Sequence, residues 1–423
     1  MRNYVKWRID RKVFNLLEYY VSSLLSSRIW KGHRKTIADA FFCLHSLDEG
    51  CPSAFSYRVF AWVLMLAVTV CLPSIGSTGF AADYCAADKQ VCAFSRFVFK
   101  LEIGGRVGSA VYVGPKIVAT NRHIVLADDL ARISDENGQT YAARVIPNDQ
   151  REDLVLLEAG NLDRGPLPWR SKAASQGETV YIIGYDQIAN AIKVFPRGTV
   201  TLPPAVNKPL SRIQHVAKAA AGSSGAALVA ADGRLIGIAT SGYDQRGDAI
   251  PVSRVGHLDA RSGEQHRVVH RAIGRDYRTC LETLRRMPKR RARLARRAVD
   301  YLVRSCGKTQ NTHLLDDAGQ VLGRAGHMNA GKDIFSQALE LDPHALSNRI
   351  GLVVTLLLSG GTEETIPHLR WLVEMLPRDK KVLRLAVQAG KRGGNLQFAR
   401  DALQRLEDLD PALAVPLRQY FFR

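Results

Sequence analysis

The chain has 423 residues, too many for one ordinary domain, so two domains with attachments are expected. Its composition, 46% hydrophobic and 23% charged with 34 Gly and 17 Pro, excludes a disordered chain, a collagen and a polytopic membrane protein. Lys and Arg number 59 against 40 Asp and Glu, a formal charge of +19. That charge attracts nucleic acid, acidic lipid or acidic protein alike and carries no information on fold.

Residues 1–58 form a basic leader with 10 Lys/Arg and 5 Asp/Glu, and Val59 to Leu72 then form a 14-residue apolar run followed by Pro73 and small residues up to Ala81-Ala82. The run is short for a membrane span of about 20 residues but has signal-peptide proportions. A start nearer the run with cleavage after residue 81, an uncleaved anchor over 59–81, and a buried core helix all remain open. The first two export whatever follows Leu72, because positive flanks stay inside. Beyond the run lie Cys85, Cys92, Cys280 and Cys306, an even number that suits an oxidising compartment. The natural pairing is Cys85 with Cys92 in a linker over 82–92, and Cys280 with Cys306. Three connectivities are formally allowed, and four buried free thiols are the alternative.

From Phe97 the pattern has period two, with Phe99, Leu101 and Ile103 alternating with Lys100 and Glu102 before Gly104-Gly105. Further short runs follow at 110–113, 117–120, 142–146, 154–157, 180–183, 192–195, 226–229 and 235–239, the last two joined by Asp232-Gly233. Short strands without alternating helices predict an antiparallel barrel or sandwich.

Three motifs lie in this segment: His123 in TNRHIV, Asp153 in REDLVLL and Ser224 in GSSGAALVAADGRLIGIAT. Each alone is weak, since a lone His, a turn Asp or a Gly-Ser loop is commonplace. Together they supply the hydroxyl, the imidazole that takes its proton and the carboxylate that orients the imidazole, as nucleophilic acyl transfer requires. Gly222 supplies a pliable backbone before Ser224, so the amides of Gly222 and Ser224 could converge on a developing oxyanion, worth about 3 to 4 kcal/mol each.

On these residues the sequence resembles the trypsin-fold serine proteases, in particular the bacterial HtrA-like branch. The resemblance rests on Thr120 to Val125, on Asp153 to Leu157, and on Gly222 to Gly225 with Asp232-Gly233 and Ile236-Gly237-Ile238; Ala249 to Val252 looks like the segment closing that domain. It covers about 165 residues and implies an all-β double antiparallel barrel over 93–258, a His123, Asp153, Ser224 triad acting on protein or peptide substrates, no metal and no organic cofactor, and a bacterial periplasmic setting. It departs from the family at Ala226-Ala227, where Gly-Pro is usual, and at Ser223, where Asn or Asp is usual. A catalytically inactive peptide-binding scaffold is the alternative. By the same resemblance the primary pocket lies between residues 215–221 and 238–243, with Lys218, Ala219, Ile238, Ala239 and Thr240 lining it. Its many alanines predict a small or medium apolar residue before the scissile bond, or an acidic one if Lys218 points inward.

Residues 259–310 read as a basic connector of helix, break at Pro288, and helix. Eight Lys/Arg and no acid lie between Arg285 and Arg297. A solvated helical face is the bland reading, and an anionic membrane surface the sharper one; export makes nucleic acid a poor partner. His266 and His270 are spaced like helix-borne ligands but lack a third, and are expected on the surface. Finally, Pro343, Pro377 and Pro411 are spaced 34 residues apart, each ending a segment like ALELDP. That is the tetratricopeptide period, so residues 311–423 are expected to form an all-α helical repeat domain, folding independently and holding a protein partner.

Overall fold

The computed structural model describes residues 85–243 and 246–422. The leader and the apolar run over 59–81 lie outside the described residues. No described helix is long and apolar enough to cross a membrane.

Alternation builds the first barrel. In β1 (Val98–Ile103), Phe99, Leu101 and Ile103 are buried while Lys100 and Glu102 are half-exposed. With β2 (Arg106–Gly114), β3 (Ile117–Thr120), β4 (Leu130–Ser134), β5 (Thr140–Ile146) and β6 (Val155–Ala159) it forms a closed antiparallel barrel in the order β1-β2-β3-β6-β5-β4. The second barrel comprises β7 (Thr179–Asp186), β8 (Ala191–Val194), β9 (Gly198–Leu202), β10 (Ile213–His215), β11 (Ala227–Ala230), β12 (Leu235–Tyr243) and β13 (Arg246–Pro251). Its order is β11-β12-β13-β10-β9-β7, closed by pairing of β11 with β7, and β8 hangs from β7. Val180 and Ile182 of β7 face the interior of this barrel, whereas Tyr181 and Ile183 pack into the core of the first. The fold is therefore a trypsin-like double barrel.

Strands β4, β9 and β10 are not among the expected runs. β4 exposes Leu130, 70% accessible, and Arg132, buries only Ile133 fully, and pairs with β1 and β5. β10 is only three residues long and is likewise held by its neighbours β9 and β13. Ahead of β1, the Cys85–Cys92 disulfide closes a short turn into α1 (Lys89–Cys92), and Val91 and Phe94 are buried in the first barrel's core. The segment over 85–92 is thus more than a tether.

After α3 (Ser253–Asp259) the chain is helical. α4 (Arg267–Arg286) and α5 (Arg296–Gly307) are separated at Pro288, whose ring disfavours helix at Met287, and are joined by the Cys280–Cys306 disulfide. Closing such a loop of about 27 residues stabilises by roughly 3.5 kcal/mol in the chain-entropy account. Three helix pairs follow: α6 (Thr312–Arg324) with α7 (Met328–Leu341), α8 (Leu346–Leu358) with α9 (Thr362–Met375), and α10 (Lys380–Arg392) with α11 (Leu396–Leu409). The first helices begin at 312, 346 and 380 and the second at 328, 362 and 396, so the 34-residue spacing of the prolines is the spacing of the helices. Pro411, free of the need for a backbone donor at a first turn, opens α12 (Pro411–Phe421).

The expectation that these helices touch only one another is corrected. Ser211 Oγ donates to Asp342 Oδ1 at 2.6 Å and the Arg212 amide donates to Asp342 Oδ2 at 3.1 Å. Arg246 of β13 pairs with Asp379 at 2.5 Å, and Leu202 of β9 lies in the apolar cluster of α8 to α12. The strand loops of the second barrel are thereby tied to the repeats.

Candidate active site

His123 lies on α2 (Arg122–Val125), one helical turn entered from Asn121 directly after β3. Asp153 lies just before β6 and is 2% exposed. The two meet twice: the His123 amide donates to Asp153 Oδ1 at 2.9 Å, and His123 Nδ1 lies 2.7 Å from Asp153 Oδ2. An ionised carboxylate only accepts, so Nδ1 carries the proton and Nε2 is left as the proton-accepting nitrogen. Burial opposes ionisation of Asp153, but the neighbouring imidazole and the Arg212 charge outweigh it and hold the carboxyl below its usual range. Asn121 Nδ2 donates to the Asp153 carbonyl at 3.0 Å, fixing the backbone from the other side.

The residue beside His123 is one that sequence reasoning missed. Arg122 is fully buried, and its guanidinium donates to Asn148 Oδ1 (2.5 Å), the Gln150 carbonyl (2.9 Å) and the Glu152 carbonyl (3.3 Å), while Nη1 lies 3.2 Å from His270 Nδ1. It therefore staples the loop leading to Asp153 to the turn bearing His123. Burial lowers its pKa to about 10, so the side chain remains charged at neutral pH. His270 is a correction: the structure buries it on α4 against Arg122 and pushes its imidazole down to about 3, through burial and the adjacent guanidinium. His266 is half-exposed beside Asp149. No metal-holding cluster occurs among the described residues.

Ser224 lies in the loop between β10 and β11. Gly108 on β2 brackets it with the His123 turn, because a Cβ at that position would lie 3.0 Å from the Ser224 carbonyl and 3.3 Å from Ile124. Among the described residues no hydrogen bond joins Ser224 Oγ to His123. Residues Ala220 to Ser223 form a turn closed by the Ser223 amide on the Ala220 carbonyl at 3.1 Å, with Gly222 at φ +99°. That φ is one an L side chain avoids, which is why glycine stands there. The Ala221 carbonyl accepts from the Gln187 amide at 2.8 Å, and since a trans peptide sets N–H opposite C=O, the Gly222 amide faces the other way. Ser223 Oγ accepts from the Ala220 amide at 3.1 Å, a local role that suits the hydroxyl in place of Asn or Asp. The Ala226 substitution has its counterpart in Gly184 of β7, where a Cβ would come within 2.5 Å of the Ala226 Cβ.

Beside Ser224 opens a cavity of about 560 Å³. Of the expected lining, Lys218, Ala219, Ala239 and Thr240 are there; Ile238 is not. Ile238 is fully buried and packs into the interbarrel core, because neighbours on β12 point to opposite faces. The lining also includes His215 and Arg246, neither of which carries a motif.

Residues 108–238 match the family described as "Trypsin-like peptidase domain". Among curated proteins the chain is similar to Serine protease Do-like HtrA of Lactobacillus helveticus, 28% identical over 163 residues, covering 36% of this chain and 40% of that protein. It is also similar to Serine protease HTRA1 of Xenopus laevis, 30% identical over 153 residues, covering 34% of this chain and 33% of that one. The chain thus spans a third to two fifths of the length of these relatives. Among solved structures, the serine endoprotease from Yersinia pestis aligns at 22% identity and a TM-score of 0.36 over 40% of this chain and 64% of that one. The chain carries a trypsin-like peptidase domain with HtrA-like relatives.

Proposed function

We propose that the chain is an exported serine endopeptidase whose nucleophile is Ser224. The observation that carries this reading is the doubly hydrogen-bonded, buried Asp153 behind His123, which leaves Nε2 as the proton-accepting nitrogen of the ring. Ser224 Oγ attacks the scissile carbonyl as its proton passes to His123 Nε2. The amides of Gly222 and Ser224 hold the oxyanion, and His123 returns the proton to the leaving amine. Water then repeats the sequence on the acyl-enzyme, while Asp153 stays ionised and orients the ring throughout. No metal or organic cofactor takes part in these steps.

The domain containing this site runs from about residue 93 to 258, with the tetratricopeptide-like repeats over 311–423 recruiting a protein. A concave cavity of about 490 Å³ bordered by α6, α7 and α8 is available for that purpose. Export agrees with the two disulfides. The basic run from Arg285 to Arg297 would rest on an anionic membrane surface.

A fluorophosphonate probe tests the central claim. The protein should be labelled, and Ser224→Ala or His123→Ala should each abolish labelling and lower peptide hydrolysis by several orders of magnitude, the pair together costing little more than either. A wild-type protein that is neither labelled nor hydrolytic would instead be the inactive scaffold.

A further inference from the structure

The cavity beside Ser224 is lined by an imidazole that the reaction does not use. His215 ends β10, is 3% exposed and lines the cavity, yet neither ring nitrogen has a hydrogen-bond partner. Its ring packs against Gly247 of β13, a position where any side chain would collide with it. Burial holds the imidazole at about 4, against the opposing pull of the Asp248 charge and, after it, of the nearby Ala217 backbone, which makes no hydrogen bond of normal geometry with the ring. Buried polar side chains are almost always paired, so an orphaned imidazole at the wall of an open cavity points to a partner that arrives with the substrate.

The surroundings decide what that partner is. No Asp or Glu lines the cavity among the described residues, and Lys218 stands exposed at its edge. Asp248, on the strand behind Gly247, is occupied by the buried Arg212 guanidinium at 2.8 Å. A substrate lysine or arginine therefore finds no counter-charge among the described residues that line the cavity. An apolar side chain would leave the imidazole unpaired. A glutamine would pair with it but gain nothing from Lys218. A carboxylate accepts from the imidazole N–H and is drawn by the lysine.

We infer that this cavity selects an acidic residue, glutamate or aspartate, immediately before the scissile bond, with His215 donating to the substrate carboxylate and Lys218 attracting it at the rim. The inference rests on Ser224 being the nucleophile, as proposed above.

Four fluorogenic peptides that differ only in carrying Glu, Gln, Val or Lys before the scissile bond test it. In the wild type, kcat/KM for the glutamyl peptide should exceed each of the others by about tenfold or more, the scale a single satisfied polar contact provides. The glutamyl-to-valyl ratio should fall by about tenfold in His215→Ala and in the bulkier His215→Phe, and by about threefold in Lys218→Ala. Should one His215 variant fail to fold, the other and Lys218→Ala carry the comparison. A wild-type profile led by the valyl, glutaminyl or lysyl peptide, or a glutamyl preference surviving in the His215 variants, overturns the pocket assignment and leaves the peptidase reading standing. Absence of both fluorophosphonate labelling and cleavage of every peptide overturns the two together.

Discussion

The Ser109 hydroxyl on β2 of the first barrel donates to the Gly222 carbonyl in the second at 2.8 Å, and accepts from the Tyr185 amide on β7 at 2.8 Å. The Ser109 backbone adds two more links: its amide donates to the Ser224 carbonyl at 2.7 Å and its carbonyl accepts from Thr120 Oγ1 at 2.7 Å. One buried serine therefore joins both barrels to the turn that carries the proposed oxyanion donors.

Ser109→Ala removes the hydroxyl while leaving both backbone links. The buried Tyr185 amide and the half-buried Gly222 carbonyl lose this partner, which costs about 1 to 3 kcal/mol of stability. Since Ser109 positions the turn and touches no substrate, kcat should fall about tenfold while KM changes little, and Ser109→Thr should recover part of it. Steady-state kinetics on one peptide decide between this and a purely structural role, which would lower the amount of active protein without altering kcat per labelled site.

Arg122→Leu should destabilise the protein by about 3 to 5 kcal/mol, because three backbone or amide oxygens lose their donor inside the protein. Arg122→Lys should not rescue it, as one ammonium cannot span Asn148, Gln150 and Glu152 in the way a planar fork does. Urea midpoints of the three proteins at neutral pH measure this.

Truncation after residue 258 should abolish hydrolysis of small peptides as well as proteins. The reason is that α4 supplies His270 against Arg122, and that Leu126, just beyond the His123 turn, is buried in the α4 to α7 cluster. Small-peptide activity retained by the truncated protein would show that the helices do not support the His123 turn.

Asp316 on α6 is 2% exposed, with Oδ1 unpaired and Oδ2 accepting from Gln320 Nε2 at 2.8 Å. Burial, opposed by His313 and Gln320, pushes its carboxyl up to about 6. A raised folded-state pKa means that the protonated group favours folding, that this contribution is complete below the unfolded value near 4, and that it is lost as pH rises through 6. Asp316→Asn should therefore be more stable than the wild type above pH 6, by up to about 3 kcal/mol, and equal to it near pH 4. Thermal midpoints at the two pH values check the sign.

Sequence by itself determined the class of fold in each half of the chain. Alternation along β1, the short apolar run of β7, the Asp232-Gly233 turn and the 34-residue spacing are local regularities, because backbone geometry repeats every two residues in a strand and every 3.6 in a helix. It also singled out His123 and Asp153, which meet 30 residues apart but sit in distinctive surroundings. Only the tertiary structure decided the roles of Ser109, Arg122, His215 and His270. Ser109 reaches Gly222 across 113 residues and Arg122 reaches His270 across 148. An unremarkable serine, arginine or histidine carries no local mark of such a partner, and burial turns it into a structural or recognition element only once distant strands and helices have closed around it.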